Sequence, residues 1–245
     1  MILSSCRHDL IPTLKRADRR SMTGILANNL YLSPQRSLLY VTDTSGNLPS
    51  RKFEHLSCFL PGLLALGAHS LPPEDLPEGE RTHHQWAAKG LALACGAIYK
   101  DQPSGLGADE VQMMNAWDIE YARQKQLRME EDERIKAEAE AKGEPVPRPG
   151  EGARKYRPIE VKLNQTAEDE KSRWLNAVKA WVKDNGRRTE EVPGLLVGRE
   201  AVPVGDLKRD YIPRNAGYYL RPEVRFVCDN CLLDHVLTLS SYYRP

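Results

Sequence analysis

Two short segments of this sequence place a carboxylate next to a second functional side chain. Glu54 and His55 stand directly before the run 56–66, which is apolar apart from one serine and contains a Pro-Gly pair. Far downstream, Glu223 lies two residues after Arg221. A positioned carboxyl group can give or take a proton during a reaction. The side chains of these segments therefore suit acid–base chemistry, although each segment alone is a weak signal.

Taken together and in this order, the two segments resemble the class I α1,2-mannosidases, glycoside hydrolase family 47. The first motif of that family reads Asp-His-Leu-x-Cys-Phe-x-Pro-Gly, and the second reads Leu-Arg-Pro-Glu followed shortly by Glu-Ser. The resemblance covers roughly residues 22–224 and is closest within 27–69, 90–113 and 216–224.

The resemblance implies roles for four residues. Glu223 takes the place of the base that activates water in an inverting glycosidase, and Arg221 hydrogen-bonds sugar hydroxyls through its fixed fork of donors. Glu54 stands where the family usually has aspartate, and misplacing a catalytic group by about 1 Å can lower a rate about a hundredfold. His55 joins the substrate-binding set, or it is an oriented core histidine behind the site. Each segment also has an explanation without a functional role. Arg221 and Glu223 could be an ion pair on the surface, and Glu54 could be a glutamate that stabilises the start of a helix.

A third segment, residues 103–111, is similar to the family's Gly-Leu-x-Pro-Glu stretch, whose glutamate is another acid of the site. An ungapped match places Asp109 on that glutamate, and a shift of one residue places Glu110 there. Glu110 is slightly favoured. The alternative is that Asp109 and Glu110 cap the start of a helix.

The family relationship implies an all-α fold, here an incomplete arc of an (α/α)7 barrel. We expect residues 1–245 to form a partial catalytic domain, with a charged insertion over 119–165 and a tail over 225–245 that does not match. The implied activity is calcium-dependent, inverting hydrolysis of α1,2-linked mannose from high-mannose N-glycans in the endoplasmic reticulum or Golgi. We find no metal ligands assignable from the residues themselves.

Several family elements have no counterpart in this sequence. These are the segment with the acid, the Glu-Ser continuation and the downstream Thr-Glu-x-His element whose threonine binds calcium. We therefore expect the chain alone to bind calcium weakly and to lack mannosidase activity. We also expect it to be poorly soluble or only partly folded, because an arc of a barrel leaves apolar helix faces in water.

Two other functions remain as alternatives. One is a non-catalytic mannose-recognition protein of glycoprotein quality control, which would bind the sugar without turnover. The other is a helical interaction protein whose partner-binding helix is 120–142, a stretch rich in Glu, Lys, Arg and Ala. Charged helices of this kind are by default solvated surfaces.

Composition excludes some classes of function. The chain has 245 residues, with 35 basic and 34 acidic side chains, so it lacks the cationic excess of a nucleic-acid-binding protein. The longest apolar run, 58–68, is about half the roughly 20 residues needed to span a bilayer. The amino terminus does not have the pattern of a signal peptide.

The five cysteines do not indicate a disulfide framework, and Cys95 has no evident partner. Cys228, Cys231 and His235 offer three zinc ligands without a clear fourth, which favours two unrelated thiols.

Hydrophobic periodicity predicts mostly helices. The expected helices are 9–32, 55–66 with a bend or break at Pro61-Gly62, 86–99, 120–142 and 168–185. Residues 38–42 favour a strand, and residues 143–158 form a linker rich in proline and glycine.

Overall fold

The computed structural model of this chain describes residues 19–46, 48–102, 104–143, 145, 159–185, 192–195 and 210–219. Several sequence predictions fall outside these ranges: Arg221, Glu223, Cys228, Cys231, His235 and most of the linker 143–158.

Most of the described residues are helical. The helices are α1 (19–28), α2 (Leu60–Ser70), α3 (Glu78–Lys100), α4 (Ala116–Lys142), α5 (Gln165–Ser172) and α6 (Trp174–Asn185), and a 3₁₀ turn covers His55–Phe59. The strands are β1 (Leu30–Leu32), β2 (Leu39–Val41), β3 (Thr44–Ser45), β4 (Leu48–Pro49), β5 (Lys52–Glu54), β6 (Gly107–Met113) and β7 (Tyr211–Tyr219).

The strands form two small antiparallel hairpins and one larger sheet. β1 pairs with β2, and β3 pairs with β4. The larger sheet has the order β5-β6-β7, and both of its pairings are antiparallel. An all-α class was expected, so the sheet corrects that expectation while the mainly helical character is confirmed.

The helix α3 is the centre of the packing. One end packs with α2, the β1–β2 hairpin and α6 around a buried cluster that includes Leu91 and Trp174. Gly90 allows this close approach, since a Cβ there would lie 2.8 Å from Leu39 of β2. The other end of α3 contributes Cys95 and Ile98 to a second cluster beneath the sheet.

Pro61 starts a helix instead of bending one. The chain leaves β5 through the 3₁₀ turn, and α2 begins at Leu60 with Pro61 in its first turn. Proline is well tolerated there because the first amide groups of a helix have no partner within the helix. The helix expected over 55–66 is therefore divided just before Pro61 into the 3₁₀ turn and α2, and it is not bent at Pro61-Gly62.

Other helix boundaries also differ from the sequence predictions. The helix expected over 9–32 ends at 28 in its described part, because residues 30–32 pair with β2 as β1. The helix expected over 168–185 is two helices, α5 and α6, which are separated by Arg173 in a bridge with Tyr31. The expected helices 86–99 and 120–142 are confirmed within longer ones, and the expected strand 38–42 is confirmed as β2.

The charged helix α4 is capped at both ends. Asn115 accepts a hydrogen bond from the backbone of Asp118, whose side chain accepts one from the Asn115 backbone, and Gly143 ends the helix with φ of 67°. This capping box explains why α4 starts at Ala116, earlier than predicted. Within α4 only Ala139 is buried, which agrees with the prediction of a solvated helix. Among the described helices, none is long and apolar enough to cross a membrane.

Candidate active site

The segments that carry the candidate carboxylates meet in the three-stranded sheet. Glu54 at the end of β5 is directly opposite Glu110 in β6. On the other side of β6, Asn215 of β7 is in register with Glu110. β7 ends at Tyr219, two residues before Arg221. The sheet thus gathers three segments that are far apart in the sequence.

Lys52 connects the two glutamates. Its Nζ donates a hydrogen bond to Glu54 Oε1 at 2.5 Å and lies 3.1 Å from Glu110 Oε2. Hydrogen bonds to Glu54 and Glu110 raise the pKa of Lys52, so this side chain stays an ammonium ion. All three side chains are partly exposed, and such pairs contribute little to folding stability. Their main effect here is to fix the positions of two carboxylates.

The bridge also limits the spacing of the carboxylates. Two oxygens within 2.5 Å and 3.1 Å of one nitrogen are at most about 5.6 Å apart. The two carboxyl groups of inverting glycosidases are separated by roughly 6.5–9.5 Å, which leaves room for water. The two bridged oxygens of Glu54 and Glu110 therefore lie closer together than the carboxyl groups of an inverting pair.

Asp109 and Glu110 both lie in the strand β6. Glu110 faces Glu54 across the ladder with β5, and the pairing of β6 with β7 is irregular between Ala108 and Glu110 and between Glu110 and Val111. This arrangement agrees with the sequence preference for Glu110. The alternative of a capping pair at a helix start is wrong, because both residues lie inside a strand.

His55 is buried behind the sheet. Only 4% of its surface is exposed, and its Nε2 lies 2.5 Å from the hydroxyl oxygen of Tyr99 on α3. The two rings are in edge contact, with centroids 5.4 Å apart. The position of His55 is that of an oriented histidine beneath the site, as in the alternative weighed from the sequence.

Tyr99 occupies a tight space between His55 and β6. A Cβ on Gly107 would lie 2.6–2.9 Å from three carbons of the Tyr99 ring, so only glycine leaves room for that ring. Sequence reasoning missed Tyr99 because nothing near it in the sequence indicates a contact with His55.

A disulfide fastens the same turn to the same helix. Cys58 in the 3₁₀ turn is bonded to Cys95, which lies one helical turn before Tyr99. The sequence left the partner of Cys95 open, and the structure identifies it as Cys58. The sequence separation of 37 residues hides this pairing.

The start of β7 is anchored by a buried carboxylate. Asp210 is fully buried, and its Oδ2 accepts hydrogen bonds from Ser33 Oγ at 2.6 Å and from the backbone N–H groups of Gln35 and Arg36 at 2.9 and 2.7 Å. The next residue, Tyr211, begins β7. The turn between β1 and β2 therefore fixes the strand that leads toward Arg221.

The described residues do not make up a calcium site. None of the described ranges contains a group of three or more His, Cys, Asp or Glu side chains that could hold a metal ion. The carboxylates of Glu54 and Glu110 share the ammonium of Lys52. We therefore assign no reaction step to a metal.

Most of this sequence also matches the model of a known protein family. The model of glycosyl hydrolase family 47 matches residues 9–225. This chain therefore belongs to glycosyl hydrolase family 47.

Relatives of known name share part of this chain. The endoplasmic reticulum mannosyl-oligosaccharide 1,2-alpha-mannosidase of Rattus norvegicus is 34% identical over 90 residues, which are 37% of this chain and 12% of that protein. Mannosyl-oligosaccharide 1,2-alpha-mannosidase MNS1 of Arabidopsis thaliana is 32% identical over 90 residues, 37% of this chain and 15% of that protein. Mannosyl-oligosaccharide 1,2-alpha-mannosidase IC of Homo sapiens is 32% identical over 72 residues, 29% of this chain and 11% of that protein. Each alignment thus spans a small part of the relative's length.

Proposed function

We propose that this chain carries part of an α1,2-mannosidase site, which acts on α1,2-linked mannose of high-mannose N-glycans. The family membership gives the reaction class of a glycosidase. The relatives' names supply the linkage and, for the rat protein, the endoplasmic reticulum. The Cys58–Cys95 disulfide suits such an oxidising compartment.

The single observation that supports this proposal most is the meeting of the candidate segments in one sheet. Glu54 and Glu110 are opposed across two strands, and the third strand ends two residues before Arg221. A surface Arg-Glu pair or an isolated helix-start glutamate does not require this convergence.

We assign the roles as follows. Glu223 acts as the base that takes a proton from water, while that water attacks the anomeric carbon from the face opposite the leaving oxygen. Arg221 donates hydrogen bonds to sugar hydroxyls. Glu54 and Glu110 accept hydrogen bonds from other hydroxyls and orient the ring. A further carboxylic acid protonates the leaving oxygen, because Glu223 is assigned as the base.

The same proposal covers the architecture. We propose that the helices form part of an (α/α)7 barrel, that 1–245 is part of a catalytic domain, and that 119–165 is an insertion in it. Calcium enters this proposal only through the family. The direct test is to titrate the protein with calcium and to measure the heat of binding by calorimetry.

Hydrolysis is tested with methyl α1,2-mannobioside by following the product by NMR. An inverting reaction releases β-mannose first, whereas release of α-mannose contradicts the assigned roles and favours a nucleophilic carboxylate.

Binding tests the two glutamates separately from turnover. We expect Glu54→Gln and Glu110→Gln each to weaken the binding of the disaccharide about tenfold, because a hydrogen bond to a charged group is lost. Glu54→Asp, which restores the usual family residue, should retain binding. Glu130→Gln on the exposed helix α4 serves as the control and should change nothing. If all four variants bind the disaccharide with equal affinity, Glu54 and Glu110 are not part of a mannose-binding site.

A non-catalytic mannose-recognition protein remains the second candidate. The observation that favours it is the Lys52 bridge, because Lys52 Nζ holds Glu54 and Glu110 as hydrogen-bond acceptors, the role that binding of sugar hydroxyls requires. Binding of the disaccharide without release of mannose, even with calcium added to the intact protein, would support this candidate over the hydrolase.

A further inference from the structure

The sequence contains a single Asn-x-Ser/Thr triplet, Asn164-Gln165-Thr166. A triplet of this kind, with any residue except proline in the middle, is the acceptor sequence for N-linked glycans. It arises often by chance, so its place in the fold and the compartment of the chain decide whether it is used. The triplet takes no part in the candidate mannose site.

The acceptor asparagine lies on an open surface. Asn164 stands directly before α5, and residues 162–167 are all exposed. N-linked glycans are bulky and belong on protein surfaces. The surroundings of Asn164 in its own segment therefore leave room for an oligosaccharide.

Asn164 also caps α5, and the cap and a glycan use different atoms. Asn164 Oδ1 accepts a hydrogen bond from the backbone N–H of Ala167 at 3.2 Å. A glycan is joined to the side-chain nitrogen Nδ2 and leaves Oδ1 as an acceptor. The capped helix and a glycan on the same residue are therefore compatible.

The acceptor segment is open to a transferase before the chain has folded. α5 has only eight residues, and helices this short are marginal in water on their own. In the folded chain α5 contacts β4 and α6. Until these elements pack against it, Asn164 and Thr166 belong to an unfolded stretch.

The disulfide between Cys58 and Cys95 indicates a compartment in which such transfer occurs. Stable disulfides are typical of the secretory lumen and rare in the cytosol. The two cysteines lie in the 3₁₀ turn and in α3, far from Asn164 in the sequence. This observation is therefore independent of the triplet.

We propose that Asn164 carries an N-linked glycan. In the transfer, Asn164 Nδ2 forms a bond to C1 of the first sugar of an oligosaccharide carried on a lipid diphosphate. The bond between C1 and the diphosphate oxygen breaks, the lipid diphosphate leaves with that electron pair, and Nδ2 loses one proton to solvent. This inference rests on the part of the proposed function that places the chain in the endoplasmic reticulum.

The first experiment tests whether Asn164 accepts a glycan. The 245-residue chain, preceded by a cleavable signal sequence, is translated in the presence of endoplasmic-reticulum microsomes. Protection from added protease identifies the chains inside the vesicles. We expect these chains to include one slower-migrating form in gel electrophoresis, which peptide N-glycosidase converts to the faster one.

Variants separate the acceptor triplet from the helix cap. Thr166→Ala removes the hydroxyl that the acceptor sequence requires and keeps the Asn164 cap, so the slower form should be lost. Thr166→Ser retains the acceptor sequence and should keep the slower form. Thr82→Ala is the matched control, at a threonine of α3 whose hydroxyl bonds to the Glu78 carbonyl oxygen, and it should be glycosylated like the unchanged chain.

Two results of this experiment would overturn the inference. One is the absence of the slower form from the protected chains, and the other is its persistence in Thr166→Ala. Neither result bears on the mannose site, because binding of methyl α1,2-mannobioside is measured independently on the same chain.

A second experiment examines the protein purified from its source cells. Peptide N-glycosidase in water enriched in heavy oxygen converts a glycosylated asparagine to a labelled aspartate, which mass spectrometry detects. We expect the label at Asn164 and an intact Cys58–Cys95 disulfide in the same sample. An unlabelled Asn164 beside an intact disulfide would refute glycosylation alone. If both the label and the disulfide are missing, the proposed location in the endoplasmic reticulum fails as well.

Discussion

At the scale of single residues, the packing of Tyr99 against Gly107 controls the geometry beneath the site. A methyl group at Gly107 would overlap the Tyr99 ring, and that ring is buried. We expect Gly107→Ala to lower the free energy of unfolding by about 1–3 kcal/mol, the usual cost of overpacking. Urea unfolding followed by circular dichroism measures it.

The matched control is Gly24→Ala in α1, where an added Cβ meets no atom within 4 Å. Removing a glycine from a helix should stabilise the protein by up to about 1 kcal/mol. If both alanine variants are equally stable, the close contact between Tyr99 and Gly107 does not exist in solution.

Some residues of the candidate site could be predicted from the sequence, and others could not. Glu54 was found because it lies inside a recognisable motif. The choice between Asp109 and Glu110 depended on strand register, since a shift of one residue reverses the face on which a side chain lies. Lys52 was missed, because a lysine two residues before a glutamate is unremarkable until the strand brings a second carboxylate opposite.

At the scale of elements, the Cys58–Cys95 disulfide ties the turn with His55 to α3. Its removal should lower the free energy of unfolding by about 2–4 kcal/mol, because it closes a loop of 37 residues in the unfolded chain. We expect Cys58→Ser to show this loss, measured by urea unfolding. Adding a reductant should destabilise the unchanged chain to a similar extent and leave Cys58→Ser unaffected. An equal response of both proteins to reductant would contradict the pairing.

The contact between α3 and α6 should respond to pH through His83. His83 packs against Trp86 and Trp174, and burial, aided by nearby Lys179, lowers the pKa of His83 below its usual value, with Glu80 opposing. As pH decreases, His83 of the unfolded chain is therefore protonated near pH 6.5, and His83 of the folded chain is protonated only at lower pH. Stability should fall as pH drops below about 6.5.

The prediction is checked by urea unfolding at several pH values between 7 and 5. As pH decreases, the free energy of unfolding of His83→Gln should fall less steeply than that of the unchanged chain. The variant His69→Gln, at an exposed histidine of α2, should show the same dependence on pH as the unchanged chain. A slope that survives in His83→Gln would assign the effect to other groups.

Elements of local origin were the easiest to predict. α3 and the strand β2 follow from apolar periodicity and β-prone residues over a few turns. The sheet was missed because β6 pairs with β7, whose first residue Tyr211 is almost one hundred positions beyond Met113, its partner. Short strands that depend on such distant partners have no clear local signal.

At the scale of the whole molecule, an apolar stripe remains exposed on the 3₁₀ turn and α2. Leu56, Phe59, Leu63 and Leu66 recur at helical spacing and are 37–57% exposed. This stripe supports the expectation of poor solubility, because contiguous apolar surface favours association. The family's barrel fold suggested exposed faces, but only the structure identifies which face.

Replacing part of the stripe should reduce self-association. We expect Leu63→Lys with Leu66→Lys to shift the chain toward monomer in sedimentation velocity and to raise its solubility. Leu127→Lys with Met129→Lys on α4 introduces the same charges at side chains that are similarly exposed, 52% and 57%. If this control pair improves solubility equally, added charge and not the stripe is responsible.

The most direct test of the central claim is an NMR titration of the isotopically labelled 245-residue chain with methyl α1,2-mannobioside. The account predicts that backbone amide signals shift for residues 52–54 and 107–112, the strands that hold Glu54 and Glu110. Titration with methyl α-glucoside should give much smaller shifts. An absence of shifts at these strands, or shifts confined to α4, would contradict a mannose site in this sheet.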